Sequence, residues 1–376
     1  MSYTVVIATR QVQRNNGTVR NTIEQAQVLR ENGFRVVLMT EKFHENYASY
    51  FDEVVKTVRW PIKGYFRRKW FDYLVQRWVR KNKPDMQISH GDTQSKDIIA
   101  LHNCIRLAHE KIQGCPVDER NDVARFHDRV LETSGAATII ANSNMMRDDL
   151  VHRYGVDIKR IVTIYPAYAP EMFSVSDSLE MRREGRKKLG VSESTSLVGL
   201  VTSGDFTKRN VGFFLKVAAA AGKVTGHQLH FLVVGADRSL HDYRRLAADL
   251  GIAQQVSFAK PMEDVHLLYH ALDVFVLPAK FEEFGRVVLE ALACGTPAVV
   301  SDQVGASEIM VKHGLPHVIA GYEAETWVDA IVNLLENPEL RERVSAQSAD
   351  IARLYTREKQ MEQFRLVVNS VISRQV

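Results

Sequence analysis

Cysteine is scarce in this chain. Only three cysteines, Cys104, Cys115 and Cys294, occur among 376 residues. An odd number at such wide spacing excludes a disulfide framework and fits no common zinc-binding pattern. The cysteine usage therefore favours a reducing, cytoplasmic compartment.

Long hydrophobic runs are also missing. A helix that crosses a bilayer needs about 20 apolar residues, and the best run, residues 271–277, already contains Asp273. We therefore expect no membrane-spanning segment. The first ten residues lack the basic start and the cleavage site of a signal peptide, and we interpret residues 4–8 as a buried strand.

The composition, with 45% apolar and 25% charged residues, is that of a globular protein and excludes fibrous and disordered classes. Predicted strands lie at residues 4–8, 35–40, 86–89, 98–101, 137–142 and 161–165, and again at 197–202, 229–235, 256–258, 273–277 and 298–301. Predicted helices alternate with them, which is the rhythm of parallel α/β sheets. We predict a first domain at 1–173, a linker at 174–190, a second domain at 191–356 and a C-terminal helix at 357–376.

Positive charge is concentrated in residues 59–83, called the basic segment below. It holds nine lysines and arginines against one acid, Asp72, together with seven aromatic residues. Phe66, Trp70, Leu74 and Trp78 recur every four residues and predict an apolar helical stripe. Two interpretations stay open: a helix in an anionic membrane interface, or a core-facing helix with solvated basic flanks. No nucleic-acid-binding module accompanies the segment.

The richest motif lies between a predicted strand and a predicted helix, at residues 277–297. Glu282 and Glu290 flank Phe284 and Gly285. A helix that begins near Phe284 would place Glu290 about 9 Å along its axis, at roughly 1.5 Å per residue. The N–H groups at the helix start attract phosphate, and glycine allows a close approach. This spacing suits a nucleoside diphosphate carrying a sugar, although an ordinary helical glutamate would look the same.

The complete string, Glu-x-Phe-Gly, the second Glu and then Ala-Leu-Ala-x-Gly-x-Pro-Ala-Val, resembles the signature of the retaining glycosyltransferase family 4. That family has the GT-B fold, in which two Rossmann-like parallel-sheet domains face each other across a cleft. The resemblance implies that Glu282 contacts the donor sugar, that Glu290 binds the nucleotide ribose and that His102 also contacts the sugar. It further implies retention at the anomeric carbon without a metal, and no cofactor besides the nucleotide-diphospho-sugar donor, with a UDP-sugar favoured.

Other strand-end loops add candidates. Lys208 and Arg209 would neutralise the leaving diphosphate, and Gly17, in 15-Asn-Asn-Gly-17, resembles the glycine loop of the family's first domain. Thr202 or Ser203 stands at the position where the family usually has an arginine. The predicted catalytic residues are Glu282, His102, Lys208 and Arg209, and the predicted donor-binding residues are Gly17, Lys208, Arg209, Glu282, Phe284, Gly285 and Glu290.

These residues and the resemblance predict a hexosyl-type glycosyltransferase. Its acceptor would be a glycan or glycolipid, with lipopolysaccharide core favoured, and its place would be the cytoplasm or the inner face of the cytoplasmic membrane. Contact with that membrane would run through the basic segment. A non-catalytic GT-B protein that binds glycan or lipid, and a nucleotide-sugar epimerase, stay open as alternatives.

Overall fold

The computed structural model describes residues 3–13, 17–226 and 228–374, which divide into two compact units. The first unit comprises Met1–Pro166 and Glu358–Val376, and the second comprises Ala167–Arg357. Each unit contains a parallel sheet with helices. The predicted α/β fold class is therefore confirmed.

The first unit is built on a seven-stranded parallel sheet with the strand order β5-β3-β1-β6-β7-β8-β9. β2 and β4 form a separate two-stranded parallel sheet. The strands are β1 (Thr4–Ala8), β2 (Gln11–Val12), β3 (Arg35–Thr40), β4 (Lys42–Phe43), β5 (Glu53–Lys56), β6 (Met86–Ser89), β7 (Ile98–Ala100), β8 (Thr138–Ala141) and β9 (Ile161–Thr163). The helices are α1 (Gly17–Glu31), α2 (Tyr65–Asn82), α3 (Ile105–Gln113), α4 (Asp122–Thr133) and α5 (Asn144–Tyr154).

The second unit is built on a six-stranded parallel sheet with the order β12-β11-β10-β13-β14-β15. Its strands are β10 (Ser196–Gly204), β11 (Leu229–Ala236), β12 (Val256–Ala259), β13 (Val274–Leu277), β14 (Ala298–Ser301) and β15 (Val318–Ile319). The helices are α6 (Ser178–Leu189), α7 (Val211–Val224), α8 (Leu240–Asp249), α9 (Val265–Ala271), α10 (Arg286–Ala293), α11 (Ser307–Lys312), α12 (Ala324–Glu336) and α13 (Pro338–Ala352). A final helix, α14 (Arg357–Ser373), lies almost wholly in the first unit.

The central strands are apolar on both faces because helices cover each side of the sheet. In β1, Val5 and Ile7 belong to one buried cluster, whereas Val6 and Ala8 belong to another. The C-terminal helix closes the first of these clusters with Phe364, which is 1% exposed. The last helix is thus part of the hydrophobic core of the first unit.

The stretch predicted as a linker, residues 174–190, is folded and belongs to the second unit, which begins at Ala167. Its polar composition suggested an interdomain connection, but two of its arginines form ion pairs with Asp273, the residue before β13. Arg182 and Arg186 donate to the two oxygens of Asp273 at 2.7 and 2.8 Å, and Arg186 is 1% exposed. Pairing with Asp273 therefore accounts for these two arginines, while the other charged side chains of the helix, such as Arg183, Glu184 and Lys187, are exposed to solvent.

The basic segment forms helix α2, but the predicted stripe is only partly right. Phe66 is 71% exposed, and the fully buried apolar side chains are Phe71 and Val75, which pack on Val6 and Met39. The face of α2 that packs on the sheet therefore contains Phe71 and Val75, one residue further along the helix than the predicted stripe. No helix in the described ranges is long and apolar enough to cross a bilayer.

Candidate active site

The loops after β10 and β13 are held together at the carboxyl edge of the second sheet. The Lys280 N–H donates to the Lys208 carbonyl at 2.9 Å, which joins the two loops by their backbones. The first loop is tightly wound, with Asp205 and Asn210 both at a φ of +55°. Non-glycine residues rarely adopt this conformation, and it is enriched at functional sites.

Four charged side chains meet where these loops touch, and we call them the paired cluster: Lys208, Arg209, Glu282 and Glu283. The Arg209 Nη2 donates to Glu282 Oε2 at 2.7 Å, and the Lys208 Nζ donates to Glu283 Oε2 at 2.5 Å. Lys208 also lies 3.8 Å from Glu282 Oε1. The side chains are only 9–17% exposed. The cluster brings together three predicted site residues and adds Glu283, which the sequence analysis missed.

Glu282 is fixed by the loop after β14. Its N–H donates to the Gln303 carbonyl at 2.9 Å, and its own carbonyl accepts from the Gly305 N–H at 3.0 Å. Phe284 is buried, and its carbonyl accepts from the Ala306 N–H at 2.7 Å. These bonds hold the Glu282 backbone before any ligand binds.

Gly285 occupies the N-cap position of α10 with a φ of +87°. A Cβ there would lie 3.0 Å from Val304 Cγ1 and 3.2 Å from Glu282 Cγ. Conformation and space therefore both require glycine. Helix α10 begins at Arg286, two residues later than expected, so Glu290 is its fifth residue. Glu290 therefore lies closer to the helix start than the predicted distance of about 9 Å along the axis.

Glu290 is 7% exposed and accepts a hydrogen bond from the Tyr269 hydroxyl at 3.0 Å. Burial and the Glu290 carboxylate raise the pKa of the Cys294 thiol. Tyr269 is fully buried, and no motif in the sequence marked it as a partner of Glu290. The structure thus places Glu290 in an enclosed polar position rather than on a solvated helix face.

His102 follows β7 at the carboxyl edge of the first sheet. His90 Nδ1 and His102 Nε2 share a hydrogen bond of 2.8 Å, and the rings stack with centroids 5.0 Å apart. The Asn21 amide donates to His102 Nδ1 at 3.4 Å. Burial and the neighbouring His102 lower the pKa of His90 well below its usual value. Both ring nitrogens of His102 thus have partners within the first unit.

Gly17 is the first residue of α1, and no atom of the described residues lies within 4 Å of the position of a Cβ there. Asn15 and Asn16, which complete the predicted glycine loop, lie outside the described residues. Among the residues that are described, no group of three or more His, Cys, Asp or Glu side chains could hold a metal ion.

Two protein families match complementary halves of the chain. The family described as Glycosyltransferase Family 4 matches residues 15–171, and the one described as Glycosyl transferases group 1 matches residues 182–350. A D-inositol 3-phosphate glycosyltransferase of Corynebacterium glutamicum is 27% identical over 64% of this chain and 59% of its own length. The chain spans 50–59% of the length of the first curated relatives that it matches.

Solved structures share the fold at lower identity. The structure of WaaG, a glycosyltransferase involved in lipopolysaccharide biosynthesis, has a TM-score of 0.81 and 21% identity, over 95% of this chain and 98% of that one. Anabaena HepE in complex with UDP-glucose has a TM-score of 0.76 and 16% identity, over 98% and 99%. The two matched halves make the chain similar to the family 4 glycosyltransferases, and its two parallel sheets and the solved structures show that it has their GT-B fold.

Proposed function

We propose that this protein is a retaining glycosyltransferase that transfers a hexosyl-type sugar from a nucleotide-diphospho-sugar to a glycan or glycolipid acceptor. The paired cluster is the observation that carries the proposal, because it gathers cations and carboxylates beside the start of α10. The family matches support it, as does the relative named as a glycosyltransferase. The Anabaena neighbour was solved with UDP-glucose, which favours a UDP-sugar.

The paired cluster suggests how the donor binds. Lys208 and Arg209 are paired with Glu283 and Glu282. A diphosphate presents more charge and more acceptor oxygens than either carboxylate, so it can replace them on the two cations. The released Glu282 carboxylate would then accept hydrogen bonds from the sugar hydroxyls. The same cations would stabilise the charge that develops on the leaving diphosphate.

The reaction proposed here proceeds on one face of the sugar. The acceptor oxygen bonds to the anomeric carbon while the bond from that carbon to the diphosphate breaks. The proton of the acceptor hydroxyl moves to an oxygen of the leaving diphosphate. In this scheme His102 contacts the sugar, Glu290 binds the ribose with Tyr269 holding its other oxygen, and neither a metal nor a further cofactor takes part.

Donor binding tests the proposal directly. We would measure the thermal unfolding shift with UDP, GDP, ADP and dTDP sugars for the parent and for Glu290→Gln, which keeps an oxygen for Tyr269. A ligand at 100 times its dissociation constant stabilises the folded state by about 2.7 kcal/mol. Stabilisation by one nucleotide class, lost in Glu290→Gln and kept in the exposed control Glu325→Gln, is expected.

Product analysis separates the alternatives. Release of nucleotide with transfer to a glycan or glycolipid supports the proposal, and unchanged activity in EDTA supports independence from metal. Conversion of the donor to its epimer with no acceptor would identify an epimerase instead. Failure of all four nucleotide classes to bind would favour the non-catalytic GT-B protein and refute the proposed transfer.

A surface near the start of α2 favours contact with an anionic membrane at the cytoplasmic face. Val58, Ile62 and Phe66 are 70–76% exposed, and Trp60 and Tyr73 are also open to solvent. Trp60 packs on Trp70, which in turn stacks on Tyr73. Exposed apolar groups beside surplus basic charge are typical of interfacial helices. An acceptor anchored in that membrane, such as lipopolysaccharide core, would suit this surface.

Vesicle sedimentation tests the membrane contact. We expect binding to vesicles that contain phosphatidylglycerol and little binding to pure phosphatidylcholine, because the basic segment adds electrostatic attraction. Phe66→Ser should weaken that binding several-fold. Leu366→Ser removes a comparably exposed side chain of the first unit and should leave it unchanged. Equal binding of both variants would refute the assignment.

A further inference from the structure

Several arginines gather at the carboxyl edge of the first sheet. Arg10 follows β1, Arg59 lies beyond the end of β5, and Arg67 and Arg68 lie in the first turn of α2. The carboxylate of Glu41, which follows β3, lies among them with its side chain fully buried. The arginine cluster is defined as Arg10, Arg59, Arg67 and Arg68.

Glu41 forms ion pairs with only two of these four arginines, Arg10 and Arg59. Its Oε2 accepts from Arg10 Nε at 3.2 Å and Nη2 at 3.0 Å, and it lies 3.6 Å from Arg59 Nε. Arg67 donates to the Pro61 carbonyl. Within the described ranges, neither Arg67 nor Arg68 has a carboxylate within ion-pair distance. Two of the four guanidinium groups therefore lack a direct counter-charge.

Three buried polar atoms of these side chains also lack hydrogen-bond partners among the described residues. Arg67 is 6% exposed and Arg10 is 9% exposed. The Nε atoms of Arg59 and Arg67 and the Oε1 atom of Glu41 are enclosed and have no hydrogen-bond partner among the described residues. Unsatisfied buried donors are costly and need an explanation, which a bound acceptor group would provide.

The arginines also repel one another. Burial and then the charge of Arg59 lower the pKa of Arg67, and burial and then Arg10 lower the pKa of Arg68. The carboxylates of Glu41, Asp92 and Asp122 act on the cluster in the opposite direction. Asp92 Oδ2 already accepts from the Arg10 N–H at 3.0 Å and from the Thr9 hydroxyl at 3.3 Å. The arrangement would be stabilised by one more anion.

The geometry points to a binding site for a phosphate group in the arginine cluster. Guanidinium groups present paired donors that match phosphate oxygens, and several of them can share one dianion. The site lies at the edge of a parallel sheet where ligands ordinarily bind. If the proposed function is correct, this phosphate belongs to the acceptor, so the substrate class is a phosphorylated glycan or a phospholipid-linked one.

Isothermal titration with inorganic phosphate and with glycerol 3-phosphate tests the site. We would use the full chain carrying Lys208→Ala and Arg209→Ala, so that phosphate at the paired cluster does not contribute. We expect Arg68→Gln to weaken binding at least tenfold. Arg77→Gln removes an exposed arginine from the same helix and should change binding less than twofold. Arg67→Gln should act like Arg68→Gln, and thermal unfolding would verify that each variant folds.

Vesicles distinguish the source of the phosphate. Binding of phosphatidic acid vesicles that is competed by glycerol 3-phosphate and lost in Arg68→Gln supports a lipid headgroup. Binding of soluble phosphate alone supports a soluble acceptor. No saturable binding of either probe, or equal binding by Arg68→Gln and Arg77→Gln, overturns the inference.

A UDP titration of the chain with Lys208 and Arg209 intact separates this outcome from that of the proposed function. Phosphate binding that depends on Arg68 in a protein that does not bind UDP would leave the phosphate site standing and refute the donor assignment. UDP binding without a phosphate site would do the reverse.

Discussion

The two charge clusters lie at equivalent edges of the two sheets but are balanced differently. In the paired cluster, two cations face two carboxylates at 2.5–2.7 Å. In the arginine cluster, four guanidinium groups surround the buried Glu41, and only two of them lie within ion-pair distance of it. In the first arrangement each cation has a carboxylate partner, whereas the second retains unsatisfied donors.

This difference separates two ways of preparing a binding site. A ligand that enters the paired cluster has to compete with carboxylates already bound to the cations, so binding is an exchange and frees the carboxylates for another task. A ligand that enters the arginine cluster fills a deficit, so binding lowers the cost of repulsion between like charges. Breaking one cluster while the other serves as its reference separates these two ways of binding.

The largest effect is expected from Glu41→Gln. This change leaves Arg10 buried without its counter-charge, and such a loss typically costs 3–5 kcal/mol of unfolding free energy. Glu283→Gln is the matched change in the paired cluster. It should cost about 1 kcal/mol, because Lys208 still lies 3.8 Å from Glu282. Urea denaturation of both variants measures the difference.

Added phosphate sharpens this test. The stability lost in Glu41→Gln should return in part when phosphate rises to millimolar levels, since the anion replaces the missing carboxylate. The same phosphate should affect Glu283→Gln no more than the parent. A smaller loss in Glu41→Gln than in Glu283→Gln would show that the two clusters are balanced alike.

The next effect concerns turnover. Glu282→Gln removes the carboxylate assigned to the donor sugar and should lower kcat roughly 100-fold, or about 2.7 kcal/mol. Donor binding should be retained, because Arg209 is then free for the diphosphate. Glu290→Gln should instead raise KM for the donor more than it lowers kcat. Steady-state kinetics on both variants decides, and identical changes would contradict the division of roles.

The fold was predictable because buried parallel strands are short apolar runs between helices. Residues 4–8, 35–40, 86–89 and 298–301 were predicted with the bounds that the structure shows. The short edge strand β5 was missed because it is only four residues long and begins and ends with the charged residues Glu53 and Lys56, so it contains no apolar run of ordinary strand length. Helix α6 was missed for a related reason: its arginines pair with Asp273, which lies about 90 positions away in sequence.

The candidate site was predictable only where one loop contains it. Glu282, Phe284, Gly285 and Glu290 share a single motif, and Lys208 with Arg209 occupy a second loop. Glu283 lies inside the motif, at the variable position of Glu-x-Phe-Gly, and only its hydrogen bond to Lys208 shows that it belongs to the site. Tyr269 and the arginine cluster depend on side chains from separate elements, and no local spacing records such contacts.

Gly285 and Gly17 lie at helix starts in different units, and replacing each by alanine tests whether glycine is required there. Gly285→Ala should destabilise the protein by about 1–3 kcal/mol, because it forces alanine into a φ of +87° against Val304. Gly17→Ala should be neutral or slightly stabilising, since nothing described lies within 4 Å of the new Cβ. A donor affinity lost in Gly17→Ala at unchanged stability would support its predicted contact with the donor. Retained affinity would remove Gly17 from the site.

The smallest effect is a dependence on pH that both units should share. Burial lowers the pKa of His127, in the first unit, and of His270, in the second, to about 4. The unfolded chain therefore takes up protons near pH 6.5 while the folded protein does not, and stability falls as the pH drops from 7 toward 4. Between pH 7 and 6 each histidine should cost about 0.7 kcal/mol. His127→Gln and His270→Gln should each flatten the measured dependence, and by the same amount. Unequal flattening would mean that the two buried histidines do not contribute alike, and that the contrast between the units extends beyond their two clusters.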